Sequence, residues 1–220
     1  RSAASAFELA LPGEVRPAPE NFAVVSAPVG GRIARISAHE GEAVRRGQPV
    51  LELESVAFAE MVAAYVEARA DETYYRTQEA RTASLVEQNV SPAAALERAR
   101  SELARAEARV SASYSRLRAV DLPDDQILAL QSATRERPLL PVFAPISGFI
   151  DRHDVDLGTS VNAYQEMLTI VDPSRVLVRG FLPPEQAGAV QRGARVLMEQ
   201  RAGDRAPIEA RISTIAPALD

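Results

Sequence analysis

Cysteine is absent from this sequence, and so are lysine and tryptophan. Without a thiol there is no disulfide, no thiolate metal site and no cysteine nucleophile, a composition that fits an oxidising compartment. All 25 basic residues are arginine. Methionine is scarce, and Met61, Met167 and Met198 are too scattered to make a thioether site for cuprous ion. The net charge of −5 argues against nucleic acid as a partner. No run approaches the roughly eighteen apolar residues of a membrane helix, and RSAASAFELA at the start lacks the basic region and apolar core of a signal peptide. Neither a span nor a leader is therefore expected within these residues. The abrupt start, and the stop at Asp220 straight after a strand pattern, read as a segment of a longer protein. No phosphate-binding loop, Gly-rich dinucleotide turn or Ser-His-Asp order is present, so neither an enzyme nor a cofactor is expected.

What the sequence does contain is one motif written twice. Residues 27–53 read APVGGRIARISAHEGEAVRRGQPVLEL, residues 144–170 read APISGFIDRHDVDLGTSVNAYQEMLTI, and a single offset of 117 aligns them without a gap. Ala27, Pro28, Gly31, Gly41, Val44 and Leu51 meet Ala144, Pro145, Gly148, Gly158, Val161 and Leu168. Val29, Ile33 and Leu53 meet Ile146, Ile150 and Ile170. Two copies are too few for a solenoid and read as two halves of one domain. Alternation at Val29, Gly31 and Ile33, and at Leu51 and Leu53, predicts short strands with one apolar face. Gly41 and Gly158 fall where a turn between strands needs a positive φ.

Between the halves the period changes. Residues 56–89 hold no glycine or proline and are rich in helix formers, predicting a helix of about 50 Å. Phe58, Met61, Tyr65, Ala68, Tyr75 and Val86 form its seam, with Glu72 and Glu79 interrupting it. Asn89-Val90-Ser91-Pro92 ends the helix, and Ser91 as N-cap with Pro92 as first residue predicts a second. That second helix carries Leu96, Ala99, Leu103, Ala106, Val110, Ser113, Leu117 and Val120 in heptad rhythm. A turn this short makes the two helices antiparallel. Nine acidic residues balance nine arginines over 55–119, a solvated surface without chemistry of its own. Asp124 or Asp125 caps a short helix, and Pro138-Leu-Leu-Pro-Val leads into the second half. Residues 7–15 alternate like a strand, and Arg16 to Asn21 read as a connector. After Asp172-Pro173 the expectation is a strand over 176–182, a short helix over 183–191, a turn at Gly193, and strands over 195–199 and 208–215 joined by Ala-Gly-Asp-Arg.

The repeated halves resemble the lipoyl or biotinyl carrier domain, the barrel-sandwich hybrid. In carriers a lysine on the hairpin joining the halves holds the cofactor. This chain has no lysine, an arginine cannot form that amide, and an insertion of about ninety residues replaces the hairpin. A lipoyl-like domain split by a long helical insertion resembles the periplasmic adaptor, or membrane fusion protein, of tripartite resistance-nodulation-division efflux pumps. The loop between Val120 and Pro138 leans toward the heavy-metal branch. The resemblance implies an elongated α+β multidomain chain: a split lipoyl-like barrel-sandwich hybrid, an inserted antiparallel α-helical hairpin and a partial β-barrel domain. The domains are then residues 1–22 (strand and connector to the barrel), 23–54 (first lipoyl half), 55–141 (hairpin and short helix), 142–172 (second half) and 173–220 (incomplete barrel). Because the halves pair with each other, the insertion is expected to contribute reach and to be dispensable to the lipoyl fold.

The resemblance implies a scaffold in the periplasm, associated with the inner membrane through segments outside this chain. Its partners would be an inner-membrane efflux transporter, an outer-membrane channel and further copies of itself as a trimer or hexamer, for export of metal ions or small toxic compounds. Adaptors dock on the channel through an Arg-x-x-x-Leu-…-Ser signature at the hairpin tip. Arg81 and Leu85 match it, and Ser91 stands one residue short of the family spacing. Two alternatives keep the fold, an adaptor for an ABC-type exporter or for type I secretion. Another is a soluble periplasmic metal-binding protein built on Asp151, His153, Asp154 and Asp156. Strand alternation leaves only Asp151 and His153 on one face, too few for a zinc site, and His39 beside Glu40 offers no more.

Overall fold

The computed structural model describes residues 10–130, 137–199 and 206–216. They fall into two compact units, one within residues 17–175 and the other within residues 10–16 and 176–216.

In the larger unit the repeat becomes eight strands. The first half supplies β2 (Phe22–Ser26), β3 (Gly31–Ile36), β4 (Ala43–Val44) and β5 (Pro49–Glu54). Each recurs 117 residues later as β6 (Leu139–Phe143), β7 (Gly148–His153), β8 (Ser160–Val161) and β9 (Glu166–Val171). The repeat thus reaches one strand further back than the sequence identities. The two sheets run β2-β9-β7-β4 and β6-β5-β3-β8. In each, the central pair comes from one half and both edge strands from the other, so neither half completes a sheet alone. Register repeats too: Phe22 faces Val171 as Leu139 faces Glu54, and Gly31 faces Val161 as Val44 faces Gly148.

The same residues fill the core from both sides. Val25, Ile33, Val44, Leu51 and Leu53 are buried with their counterparts Val142, Ile150, Val161, Leu168 and Ile170. Gly31 and Gly148 are needed for closeness. A methyl on Gly31 would stand 2.6 Å from the Glu54 carbonyl oxygen, and one on Gly148 would stand 2.5 Å from that of Val171. Gly41 and Gly158 take the positive φ expected of them, +79° and +84°.

Helix α1 (Val56–Glu87) leaves β5 with Ser55 as N-cap, its hydroxyl accepting from the Phe58 amide at 3.3 Å. Helix α2 (Ala93–Arg118) returns along it, and α3 (Asp124–Ala129) follows. Every expected α2 seam position is buried or half-buried, with Ala99, Ala106, Ser113, Leu117 and Val120 buried. The α1 seam differs from expectation at Glu72, which does not break it. The carboxylate is buried there and bonded by both Arg69 and Arg76. The insertion is also not mere reach. Phe58, Val62, Tyr65, Leu117, Val120, Leu122 and Ile127, all at its root, belong to the same core as the sandwich. Strand β6 opens at Leu139, inside the 55–141 stretch assigned to the helical insertion.

Asp124 and Asp125 lie in the first turn of α3 rather than at its cap, which is Pro123. Asp124 instead accepts from Arg118 at 2.5 Å. The Tyr114 hydroxyl donates to it as well, the main reason its carboxyl is held below the usual range.

In the smaller unit β1 (Gly13–Pro17) pairs with β10 (Val176–Gly180), and β11 (Arg195–Met198) is antiparallel to β12 (Ile208–Arg211). Arg16 and Pro17, expected in a connector, lie in β1, and the expected short helix is a 3-10 turn at Pro184–Ala189. Gly193 turns with φ +86°. No sheet among the described residues closes into a barrel. Residues 7–9 of the expected first strand, and the Ala-Gly-Asp-Arg connection, lie outside the described residues.

Candidate functional site

The hairpin tip is built by backbone hydrogen bonds. Asn89 takes φ +59°, the left-handed conformation that ends a helix. Its amide donates to the Val86 carbonyl at 2.9 Å, and the Val90 amide donates to that of Leu85 at 2.9 Å. This is the paired closure of a Schellman motif with asparagine in the usual place of glycine. The Ser91 amide also donates to the Leu85 carbonyl, at 3.2 Å. Ser91 is therefore not the N-cap of α2. Pro92 holds that place without a side-chain cap, and the serine hydroxyl is not used to start the helix.

Arg81 and Leu85 are one helical turn apart and so share a face of α1. Arg81 is exposed and its side chain makes no ion pair or hydrogen bond among the described residues, and Leu85 is half-buried. Further from the tip the two helices are tied by Glu79–Arg100 at 3.4 Å, Arg76–Glu107 at 3.1 Å and Asp71–Arg109 at 3.4 Å. Partner numbers fall on one helix as they rise on the other, the signature of antiparallel register. Charge patterning along 55–119 foretold balance but not these crossed pairs, which depend on the helix phase.

The polar cluster on β7 is dispersed by its surroundings. A bulge between Ile150 and Arg152 takes Asp151 out of simple alternation and leaves it exposed. The His153 Nε2 lies 2.8 Å from the Ala38 carbonyl oxygen, which only accepts, so Nε2 carries the proton. Its Nδ1 is enclosed without a hydrogen-bond partner among the described residues. The His153 amide donates to Glu40 Oε1 at 2.9 Å. Asp154 pairs with Arg152 at 2.8 Å, and His39, mostly exposed, stands 3.7 Å from Glu42. No three His, Cys, Asp or Glu side chains converge on a metal position among the described residues. Met167 is buried and Met61 packs against the same core.

A two-sheet sandwich with exchanged edge strands, split by a helical hairpin between β5 and β6, defines a barrel-sandwich hybrid. Residues 21–172 match the model of the CzcB-like barrel-sandwich hybrid domain. The chain belongs to that family. It is 26% identical over 211 residues to the nickel-cobalt-cadmium resistance protein NccB of Alcaligenes xylosoxydans xylosoxydans, covering 96% of this chain and 50% of the relative. It is 26% identical over 218 residues to the nickel and cobalt resistance protein CnrB of Cupriavidus metallidurans, covering 99% and 52%. The chain spans about half the length of the curated relatives it matches. Its fold is also that of a crystallised MacA–MexA chimera containing the Pseudomonas aeruginosa MexA α-hairpin domain. That similarity has a TM-score of 0.67 and 19% identity, covering 95% of this chain and 67% of that one.

Proposed function

We propose that this chain is the hairpin-bearing part of a periplasmic adaptor that joins an inner-membrane efflux pump to an outer-membrane channel for metal-ion export. The observation that carries the reading is the split sandwich itself. Its core is continuous with the root of a 32-residue helix and its 26-residue partner. At 1.5 Å per residue that projects a tip about 40 Å or more from the sandwich, a geometry suited to bridging and not to chemistry. Membership of the CzcB-like family and two metal-resistance relatives support metal ions as cargo. On this reading Arg81 and Leu85 meet the channel, with an unpaired guanidinium available to carbonyls or carboxylates at a partner helix end. Ser91, whose amide donates to the Leu85 carbonyl, belongs to the same tip. Copies of the chain would surround the pump, held at the inner membrane by other parts of the assembly. No helix among the described residues is long and apolar enough to cross a membrane.

The test is metal tolerance. Loss of the gene should lower tolerance of the source cell to nickel, cobalt, cadmium or zinc ions, and the wild-type gene should restore it. Arg81→Asp should fail to restore it although its helicity and melting are unchanged, because an exposed substitution costs under about 0.5 kcal/mol. Ala104→Asp, also exposed but midway along α2, should restore it. Unchanged metal tolerance on deletion would overturn the reading.

A further inference from the structure

The repeat gives each strand position of one sheet a counterpart on the other, and the two outer faces differ. On the β6-β5-β3-β8 sheet one row across the strands reads Leu139, Glu54, Arg32 and Ser160, and the next begins Pro141, Glu52 and Arg35. The central positions of both rows are ion pairs, Arg32–Glu54 at 2.5 Å and Arg35–Glu52 at 3.2 Å. The equivalent rows on the β2-β9-β7-β4 sheet read Phe22, Val171, Phe149 and Ala43, then Val24, Thr169 and Arg152. Val171 and Thr169 stand where the other sheet has carboxylates, and Phe149 where it has an arginine. Phe22 is 44% exposed, Phe149 46% and Val24 40%, so the row is an open apolar strip about 14 Å long. On the other sheet, Leu139 and Pro141, the counterparts of Phe22 and Val24, line a cavity with Leu122, Gln126, Ala129 and Leu130. Those belong to α3 and its flanks, a short apolar helix whose first turn holds Asp124 and Asp125. No helix among the described residues stands in that place over Phe22 and Val24, which stay exposed. Just past Ala43 come Arg45 and Arg46, where the other half has Asn162 and Ala163. Both arginines are exposed. Their backbone amides donate to Gln48 and Ser147, while neither side chain makes an ion pair or hydrogen bond among the described residues.

We propose that this strip is the docking surface for an acidic amphipathic helix of a partner protein, laid along the row. Phe22 and Phe149 stand two strand spacings apart, about 10 Å, which is the rise between helix positions i and i+7. Apolar residues at i, i+4 and i+7 then meet Phe22, Val171 and Phe149. A carboxylate one turn further on, near i+11, falls about 16 Å from the start of the strip, within reach of Arg45 or Arg46. A basic helix would bring like charge against two unpaired guanidiniums, so the strip selects by charge as well as by shape. The contact lies on the sandwich and does not depend on the role proposed for the hairpin tip.

The probe is a lactam-stapled helical peptide with leucine at i, i+4 and i+7 and glutamate at i+10 and i+11. Added to the full chain, it should shift the amide resonances of β2, β7 and β9 and leave those of β3, β5 and β6 in place. Phe149→Arg with Val171→Glu copies the Arg32–Glu54 pair of the other sheet, so that variant should fold and bind the peptide about tenfold or more weakly. Arg45→Glu with Arg46→Glu, outside the strands, should weaken binding as much and favour a peptide with lysine in place of glutamate. In the source cell, a photo-crosslinking amino acid at position 149 should give an adduct with another protein. The crosslinked peptide should carry apolar residues at helical spacing beside acidic ones, and the same group at position 32 should give no such adduct. Absent peptide binding, binding indifferent to the arginine reversal, shifts confined to the β3–β5 face, or adducts at 149 only with a second copy of this chain would each overturn the contact. None of these outcomes bears on metal tolerance, which tests the tip separately.

Discussion

Gly148 and Tyr164 show how differently two backbone constraints are met in one repeat. Gly148, like Gly31, stands where another strand's carbonyl leaves no room for a methyl group. Gly148→Ala should therefore cost about 2–3 kcal/mol through forced backbone shifts, read as a lowered urea midpoint. Tyr164 occupies the place of Gly47 in the repeat. Both have positive φ, +64° and +81°, and the tyrosine is 83% exposed. Relief of the left-handed strain should let Tyr164→Gly hold or raise stability by up to about 1 kcal/mol. A Gly148→Ala chain as stable as wild type would contradict the packing just described.

Several carboxylates are also held ionised by their neighbours. Asp172 accepts from the Ser174 amide at 2.9 Å and from Asn21 at 2.8 Å, and Glu54 from Arg32 at 2.5 Å and Arg137 at 2.9 Å. Ser174 chiefly lowers the pKa of Asp172, Arg32 that of Glu54, and Tyr114 that of Asp124. A folded-state pKa below the unfolded one means stabilisation is complete above the usual carboxylate range. It drains away as pH falls through the folded values. The urea midpoint should stay level from pH 7 to about 5 and decline below about pH 4. Glu54→Gln with Asp172→Asn should make that decline shallower. A wild-type decline already complete by pH 6 would point to other groups.

At the scale of elements, what was legible in the sequence was what short-range chemistry decides. The gapless repeat, the turn glycines, the long helices and the α2 seam all follow from local spacing. Strand exchange between the halves does not, because alternation tells which face of a strand is buried and not which strand lies beside it. Strands β2 and β6 went unpaired in the repeat because FAVVS and LLPVF share hydrophobicity more than identities. Ser91 suited an N-cap by residue type, yet α2 starts at Ala93 with Pro92 in the cap position and no side-chain cap. Glu72 looked like an interruption because its two arginine partners become visible only once the seam is in place. For the candidate site, Arg81 and Leu85 came from the family signature, and their exposure and half-burial from the fold.

The core shared between sandwich and hairpin root sets a limit on trimming. Replacing residues 56–138 by a Gly-Ser linker removes Phe58, Tyr65, Leu117 and Ile127, each no more than 2% exposed. That chain should lose amide dispersion and cooperative unfolding, since each large apolar side chain removed costs about 2–5 kcal/mol. Removing only residues 71–109, with a short linker between Ala70 and Val110, spares the root and should leave the sandwich folded. Equal stability of the two trimmed chains would show that the root is ornamental to the sandwich.

At the scale of the molecule, the proposed role is that of a spacer whose working end is the five-residue turn 88–92, held by the Leu85 and Val86 carbonyls. Metal tolerance reports that end only through the whole export pathway. Contact reports it directly. A photo-crosslinking amino acid placed at position 81, in the protein as its own cell makes it, should give an adduct with an outer-membrane channel protein. The same group at position 104 should give none. Channel adducts absent at 81, or equally abundant from both positions, would contradict docking through the tip.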